Sequence, residues 1–562
     1  MCSVQMGTNE AMGVRVLKRL AAITMVLALA VMSVGMVAVP CSAHVGSPDI
    51  YFQGAAGPYH LIVTVRTPQM IPGVATVEVV SATPGITKIS AVPTFIVGPG
   101  AKYPPAGDAL AQSAGDPQFF SGKVWLMESG SWQVLLKVSG SQGDGELAVP
   151  VPAFARGTLG MQRGRGALLL ALMALLVAAF IAIMGAARRE GTLEPGATVP
   201  EKNRKRARVV MGVAAAVVLA LLVGGNFWWD SEAAAKARNM IYEAPSLDVS
   251  LRDNGTAVII GGPPHETKQL RILKLEMLKS LWHSRRPETV MTDLVPDHGH
   301  LMHLFLVSEP SPDIFYHLHP KLVATAADRR DQVSNTFEAA LPDVPAGRYQ
   351  IYADVVRVSG FPDTMTAEID IPETGGGQPQ GDDSAVRLWP DAEPRGVERG
   401  PAVEGPDGPV MDLKDGYRMV WVRGSAPLVA NQFVWLKFRL EDANGKPVTD
   451  AEPYMGMAGH AEIVSADRSV FAHIHPDGSA AMAAVEMANP SKAGTPTANG
   501  GDAMSSMPGM AGMSMDVMTG GPSATVSFPY GFPKAGRYRI FAQMKRGGVI
   551  ETGVFDADVV AK

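Results

Sequence analysis

Cysteine is nearly absent from this 562-residue chain: only Cys2 and Cys41 occur. Both lie at or ahead of a small-residue processing site, so neither a disulfide framework nor a thiolate metal site is available to the mature chain. Histidine is scarce as well, with twelve in all. Charge is balanced, with 49 basic against 54 acidic residues, which leaves no polycationic surface for nucleic acid. No Ser/His/Asp order, phosphate-cradling glycine loop or paired-carboxylate motif stands out, so hydrolase and nucleotide chemistry have no support. The lack of a downstream cysteine removes a blue-copper centre. A copper oxidase or monooxygenase is then the weakest reading, and the balance leans away from an enzyme.

What is present begins with three long apolar runs. Residues 1–43 carry Lys18 and Arg19, an apolar stretch to Val39 and the triplet Cys41, Ser42, Ala43, the order of a secretory signal with cleavage after Ala43. An uncleaved anchor is the alternative. Cleavage would leave His44 first, where a free amine and imidazole can chelate copper with His60; a histidine that simply follows a cleavage site is the plainer reading. The runs at 167–185 and 209–229 each match the ~20 residues that cross a bilayer. They contain no Asp, Glu, His, Lys or Arg, so they read as an anchor and not as an ion pathway. The loop at 186–208 holds Arg188, Arg189, Lys202, Arg204, Lys205, Arg206 and Arg208. The positive-inside rule puts it in the cytoplasm and both large soluble parts outside the cell membrane.

The soluble parts read as mainly β. Alternating runs such as YHLIVTVRTP, ATVEVVSA, FVWLKFRLED and GRYRIFAQMKR are separated by Gly, Pro and Asp turns, which favours sandwiches over βαβ units. An internal repeat divides them further. MTDLVPDHGHLMHLFLV at 291–307 aligns without a gap on VTDAEPYMGMAGHAEIV at 448–464; FYHLHP then matches FAHIHP, and AGRYQIYADVVR at 346–357 matches AGRYRIFAQMKR at 535–546. A weaker echo, ESGSWQVLLKV at 128–138, marks a diverged third unit without the histidines. The expected order is a sandwich at 44–160, the helical hairpin, a sandwich at 240–375, a linker at 376–405 and a sandwich at 406–562 that carries a Met-rich insert at 484–523.

Five of the twelve histidines fall between residues 297 and 320. Alternate residues of a strand share a face, so His317 and His319 point together, as do His473 and His475. A turn centred on Pro310 to Pro312 sets His303 across from His319, and a turn at Asp467 and Arg468 sets His460 across from His475. Directly opposed residues stand about 4.5 to 5.5 Å apart, so each hairpin should gather three imidazoles, enough for a borderline divalent ion. The alignment also places His298 and His300 of the first repeat against Met455 and Met457 of the second. Imidazole and thioether both suit copper, as Cu(I) or Cu(II), whereas zinc, the alternative ion, is held by Cys, His, Asp and Glu. The insert adds six methionines between 504 and 518 in a composition that cannot pack a core; it is either a soft-metal tether or a linker. His265 and His283 carry no pattern and are expected at the surface.

The paired HLMHLFLV…FYHLHP and GHAEIV…FAHIHP elements, with the AGRYRIFAQMKR strand, resemble the YtkA-like family of exported β-sandwich proteins. More distantly, the chain resembles the CopC-type copper carriers. The resemblance spans about 130 residues of the first repeat and about 170 of the second. It implies immunoglobulin-like sandwiches and a copper-handling role. The expected function is an anchored extracytoplasmic copper-binding protein for capture, storage or delivery, with another copper-handling protein or a membrane oxidase as partner. The helical hairpin and the Met-rich insert depart from a freely diffusing carrier. The competing expectation is a structural or interaction module whose histidines are incidental or hold zinc.

Overall fold

The computed structural model describes residues 47–194, 196–258, 267–284, 293–325, 335–390, 396–490 and 523–562. The signal segment, His44, His265 and the six methionines of the insert lie outside them. The chain is mainly β: three two-sheet sandwiches and one pair of long helices. In the N-terminal sandwich, the sheet of Ile50–Ala56, Tyr59–Arg66, Gly73–Ser81 and Phe119–Leu126 faces that of Ile86–Phe95, Gly130–Gly140 and Gly143–Ala153. Period-two alternation makes the core: in Gly73–Ser81 the buried residues are Ala75, Val77, Val79 and Ser81, as a strand with one wet face requires.

The helices Arg163–Glu190 and Glu201–Met240 are both long and apolar enough to cross a membrane. At 28 and 40 residues they run well past the apolar stretches, about 42 and 60 Å against a hydrocarbon core of about 30 Å. Of the expected loop at 186–208, Arg188 and Arg189 lie on the first helix and the basic residues from Lys202 to Arg208 on the second, which leaves 191–200 as the connection. Both ends of the hairpin return to one point: Ile241 bridges Ala155, and the Tyr242 N–H donates to the Ala155 carbonyl. Tyr242 then packs on Phe154, Trp282 and Phe361, and its hydroxyl donates to Asp363 at 2.5 Å. His283, expected at the surface, is fully buried here beside Ser280 and Asp363. Burial alone would raise the Asp363 carboxyl, but Arg357 at 2.5 Å and His283 hold it well below the usual carboxylate range.

In the first repeat, Ser246–Val258, Thr267–Leu278 and Asn335–Ala340 form one sheet. His303–Glu309, Ile314–Leu318 and Gly347–Arg357 form the centre of the other. Ser384–Leu388, inside the expected linker, is a strand that pairs with Ile314–Leu318 and extends this sheet. The second repeat has the same plan, with His460–Ser465, Phe471–Ile474, Gly536–Arg546 and Val549–Val560 in the corresponding sheet. Residues 482–488, at the start of the expected insert, are helical and pack on the N-terminal sandwich.

The two histidine-bearing sheets pack face to face. Leu304, Leu306 and Tyr316 fill the first sandwich's own core, while Phe305, Val307 and Phe315 join the core of the second. The stacking is reciprocal: Phe315 lies on Phe541 at 4.1 Å and Phe471 on Tyr352 at 4.2 Å, each pair within 12° of parallel. Since Phe315 aligns with Phe471 and Tyr352 with Phe541, the repeats meet as the halves of a self-complementary dimer do. Burial on both faces explains why HLFLV reads as a continuous apolar run and not as an alternation.

Phe471→Ala should remove one of these stacks and leave a cavity, costing about 3 to 5 kcal/mol. Denaturation of the purified protein checks this; Phe541→Ala should act with the same sign, and Phe471→Leu should cost less.

Candidate metal centre

Both hairpin registers follow the turns. Leu304 pairs with Leu318 and Phe305 with His317, which sets His303 opposite His319. Ala461 pairs with Ile474, which sets His460 opposite His475, and Arg468 occupies the turn with φ 61°. Ring centroids in the first trio, His303, His317 and His319, lie 5.4, 5.0 and 4.6 Å apart. In the second, His460, His473 and His475, the values are 5.6, 5.1 and 4.6 Å.

Because the sheets are apposed, the trios merge. His303 lies 5.2 Å from His473 across the interface. His298, from the loop of the first repeat, sits 4.9 Å from His460 and 4.8 Å from His475 of the second. Two sets can each bring their donor atoms within 4.8 Å of one another: His303, His317 and His319, and His298, His460 and His475. The second set takes His298 where the hairpin alone offers His473. His300 stacks on His319 at 3.9 Å and meets Asp382. Met455 and Met457 are half-buried on the equivalent loop of the second repeat. The two trios with His298 and His300 make a group of eight histidines, and His60, half-buried on the strand Tyr59–Arg66 of the N-terminal sandwich, is not one of them.

The hydrogen bonds within this group leave it short of protons. His303 Nε2 donates to the Asp297 carbonyl at 3.0 Å. His317 Nδ1 meets the amide oxygen of Gln543 at 3.0 Å, and Gln543 in turn donates through its nitrogen to Ser384. In the neutral rings those two contacts use the only N–H of each. His303 Nδ1 and His317 Nε2 then face each other at 3.1 Å with a lone pair on both. Two nitrogens 3.1 Å apart, each about 2.0 to 2.1 Å from one ion, subtend close to 100° there, which suits tetrahedral coordination.

Other donors are stranded as well. His298 Nε2, His319 Nε2, both nitrogens of His460, His473 Nε2, His475 Nε2 and both carboxyl oxygens of Glu462 are buried with no hydrogen-bond partner among the described residues, Glu462 Oε1 standing 3.6 Å from His317 Nδ1. Each such group costs about 1 to 3 kcal/mol when left unpaired. Several imidazoles are nonetheless aimed: His319 Nδ1 is held by Asp383 at 2.9 Å, and His473 Nδ1 lies 3.6 Å from Asp354. Carboxylates in this position commonly orient metal-binding histidines.

Burial and mutual repulsion keep the rings neutral. Desolvation, then the neighbouring imidazoles, pushes His303 and His319 down to about 3, and drives His317, His460, His473 and His475 well below their usual value. Burial raises Asp354 and Asp383 to about 6 and Glu462 well above the carboxylate range.

Asp354, Gln543 and Glu462 are not evident from the histidine motifs. Asp354 and Gln543 occupy matching positions in YADVVR and FAQMKR, and each meets an imidazole of the other repeat, so the aligned polar residue inside an apolar strand was the available signal. Glu462 stands where the first repeat has Phe305. The N-terminal sandwich also closes on the group: Gln53 N–H donates to the Asp477 carbonyl, and Ser479 N–H to that of Tyr51. Gly478, at φ 138°, sits so close that a Cβ would lie 2.0 Å from the Tyr51 carbonyl oxygen. A cavity of about 110 Å³ at this three-way junction is lined by Ser47, Asp297, His303, Asp354, His473 and His475.

The family model for a domain of unknown function, DUF8832, matches residues 412–561, most of the second repeat. No curated protein matches the chain. Solved structures resemble it only loosely. The ICAM-5 D1–D4 ectodomain fragment is 7% identical over 88% of this chain and 74% of its own, with a TM-score of 0.14. An endo-fucoidan hydrolase of glycoside hydrolase family 107 is 9% identical over 88% and 43%, with a TM-score of 0.12. Trypsin-activated alpha-2-macroglobulin from Escherichia coli is 10% identical over 93% and 42%, with a TM-score of 0.16.

Proposed function

We propose that this protein is a membrane-anchored, extracytoplasmic metal-binding protein that captures, stores or passes on copper. The observation that carries the reading is the pair of opposed imidazole lone pairs, His303 Nδ1 and His317 Nε2, within a group of eight histidines of which four are buried and four half-buried. Neutral imidazoles with committed second nitrogens are good ligands for borderline ions. Copper is favoured over zinc by the His-to-Met exchange between equivalent loops and by the absence of thiolate. The resemblance to exported copper-handling sandwiches points the same way. The basic flank of the helical hairpin supports a cytoplasmic loop, with all three sandwiches on the outer side. A copper-delivery protein or a membrane oxidase is the kind of partner such a centre would serve.

The full chain in detergent is the material to test, because the N-terminal sandwich packs against the centre. Cu(I) and Cu(II) titration should give two tight equivalents, with Zn(II) as competitor. His317→Ala with His319→Ala should lose one equivalent, and His460→Ala with His475→Ala the other. Unchanged stoichiometry in both would rule out the assignment.

Stability of the chelator-treated protein should depend on pH with a definite sign. The six depressed imidazoles are neutral when folded, yet take up protons below about 6.5 when unfolded, so acidification favours unfolding by about 1.4 kcal/mol per imidazole per pH unit. Glu462, driven well above the carboxylate range, and Asp354 and Asp383, which take up protons near pH 6 when folded, oppose this but are fewer. The thermal midpoint should therefore fall from pH 7 to pH 5, and metal at about 1,000 times its Kd should restore about 4 kcal/mol at pH 7. A flat profile would contradict the buried, neutral cluster.

A further inference from the structure

The loops that precede the two hairpins are built alike. Leu294 and Val295 pair with Arg357 and Val356; Ala451 and Glu452 pair with Arg546 and Lys545, the aligned positions of the second repeat. Each short strand leads into the same tight turn. Asp297 and His300 exchange backbone hydrogen bonds of 2.8 and 3.0 Å, and Tyr454 and Met457 exchange bonds of 2.8 and 3.1 Å. His298 and Met455 both take the left-handed conformation, at φ 51° and 49°, and the glycines after them follow at 85° and 81°. The burial order is also shared: buried, half-buried, exposed, half-buried. Holding a non-glycine side chain in that conformation is uncommon, and its occurrence at both equivalent positions marks a fixed direction for the side chain.

His298 uses that direction to cross the interface, reaching His460 and His475 of the second repeat. The crossing is reciprocal elsewhere. His317 meets Gln543 while His473 meets the aligned Asp354, and Tyr454, next to Met455, brings its hydroxyl 3.4 Å from His317 Nδ1 of the first repeat. His300, by contrast, stays with its own hairpin, stacked on His319.

We infer that Met455 crosses to the first hairpin as His298 crosses to the second, so that its thioether joins His303, His317 and His319 in a nitrogen–sulfur site beside the all-imidazole site of His298, His460 and His475. The assignment rests on the metal reading above and reverses the simplest reading of the motifs: the His-rich repeat holds the softer site. Each site is incomplete without both repeats. The thioether site should prefer Ag(I) and Cu(I), and the imidazole site should accept Zn(II).

Ag(I) and Zn(II) titrations of the detergent-solubilised full chain test this, with the six methionines between 504 and 518 changed to leucine throughout so that they supply no thioether. Met455→Leu should weaken one of the first two Ag(I) equivalents by at least about tenfold while Zn(II) binding keeps its stoichiometry. Silver-edge X-ray absorption of protein loaded with two equivalents should lose sulfur scattering in the same variant. His298→Met should do the reverse, tightening the other Ag(I) equivalent and weakening Zn(II). If the parent chain binds two Ag(I) and Met455→Leu changes neither affinity nor sulfur scattering, this inference fails and the metal reading stands. If the parent chain binds neither ion, both fail.

Discussion

His303 Nδ1 and His317 Nε2 stand 3.1 Å apart with their rings' protons committed to Asp297 and Gln543. That contact is repulsive unless a cation lies between the nitrogens, and the rest of the centre is arranged around the same shortage of protons. The second hairpin supplies His460, neither nitrogen of which has a hydrogen-bond partner among the described residues, and Glu462, which makes no hydrogen bond among them and stands 3.6 Å from His317 Nδ1. Simple burial of histidine normally satisfies the ring; here a whole face of two sheets leaves its donors open and its neighbours neutral. A bound ion would relieve several of these penalties together, and its affinity would then be coupled to the stability of the repeat interface.

The interface is what makes that arrangement possible. Reciprocal stacking of Phe315 on Phe541 and Phe471 on Tyr352 brings the faces together, and Arg468 donates to the carbonyls of Ser308 and Pro310 at the hairpin tips. Gln543 and Asp354 reach across it to orient His317 and His473. The N-terminal sandwich seals one side where Tyr51 and Gln53 meet residues 477–479 of the second repeat, and Tyr242 fastens the helical hairpin to Ala155 and Asp363 nearby. Capture of an ion would therefore be felt where the helical hairpin joins the sandwiches.

Much of this was legible in the sequence. Period-two spacing and turn chemistry determine which side chains share a face, so both trios and both registers followed from counting residues around Pro310–Pro312 and Asp467–Arg468. The apposition of the trios was not legible, because HLFLV is equally apolar whether its outer face meets solvent poorly or a second sheet well. Ser384–Leu388 lay hidden in a Gly- and Pro-rich stretch that reads as a linker but contributes a strand across from Ile314–Leu318. His283 gave no local signal because Asp363 and Tyr242, which enclose it together with the neighbouring Ser280 and Trp282, come from distant segments. Glu462 alternates correctly with His460, yet a lone carboxylate in a strand most often marks the wet face, and only the second sheet makes it buried.

The most direct measurement is diffraction from crystals of the copper-loaded full chain at energies on either side of the copper absorption edge. Two anomalous peaks are expected within the eight-histidine group, one of them bonded to both His303 Nδ1 and His317 Nε2. Ordered rings with no anomalous peak among them, and each nitrogen satisfied by a protein hydrogen bond, would contradict a metal role for the cluster.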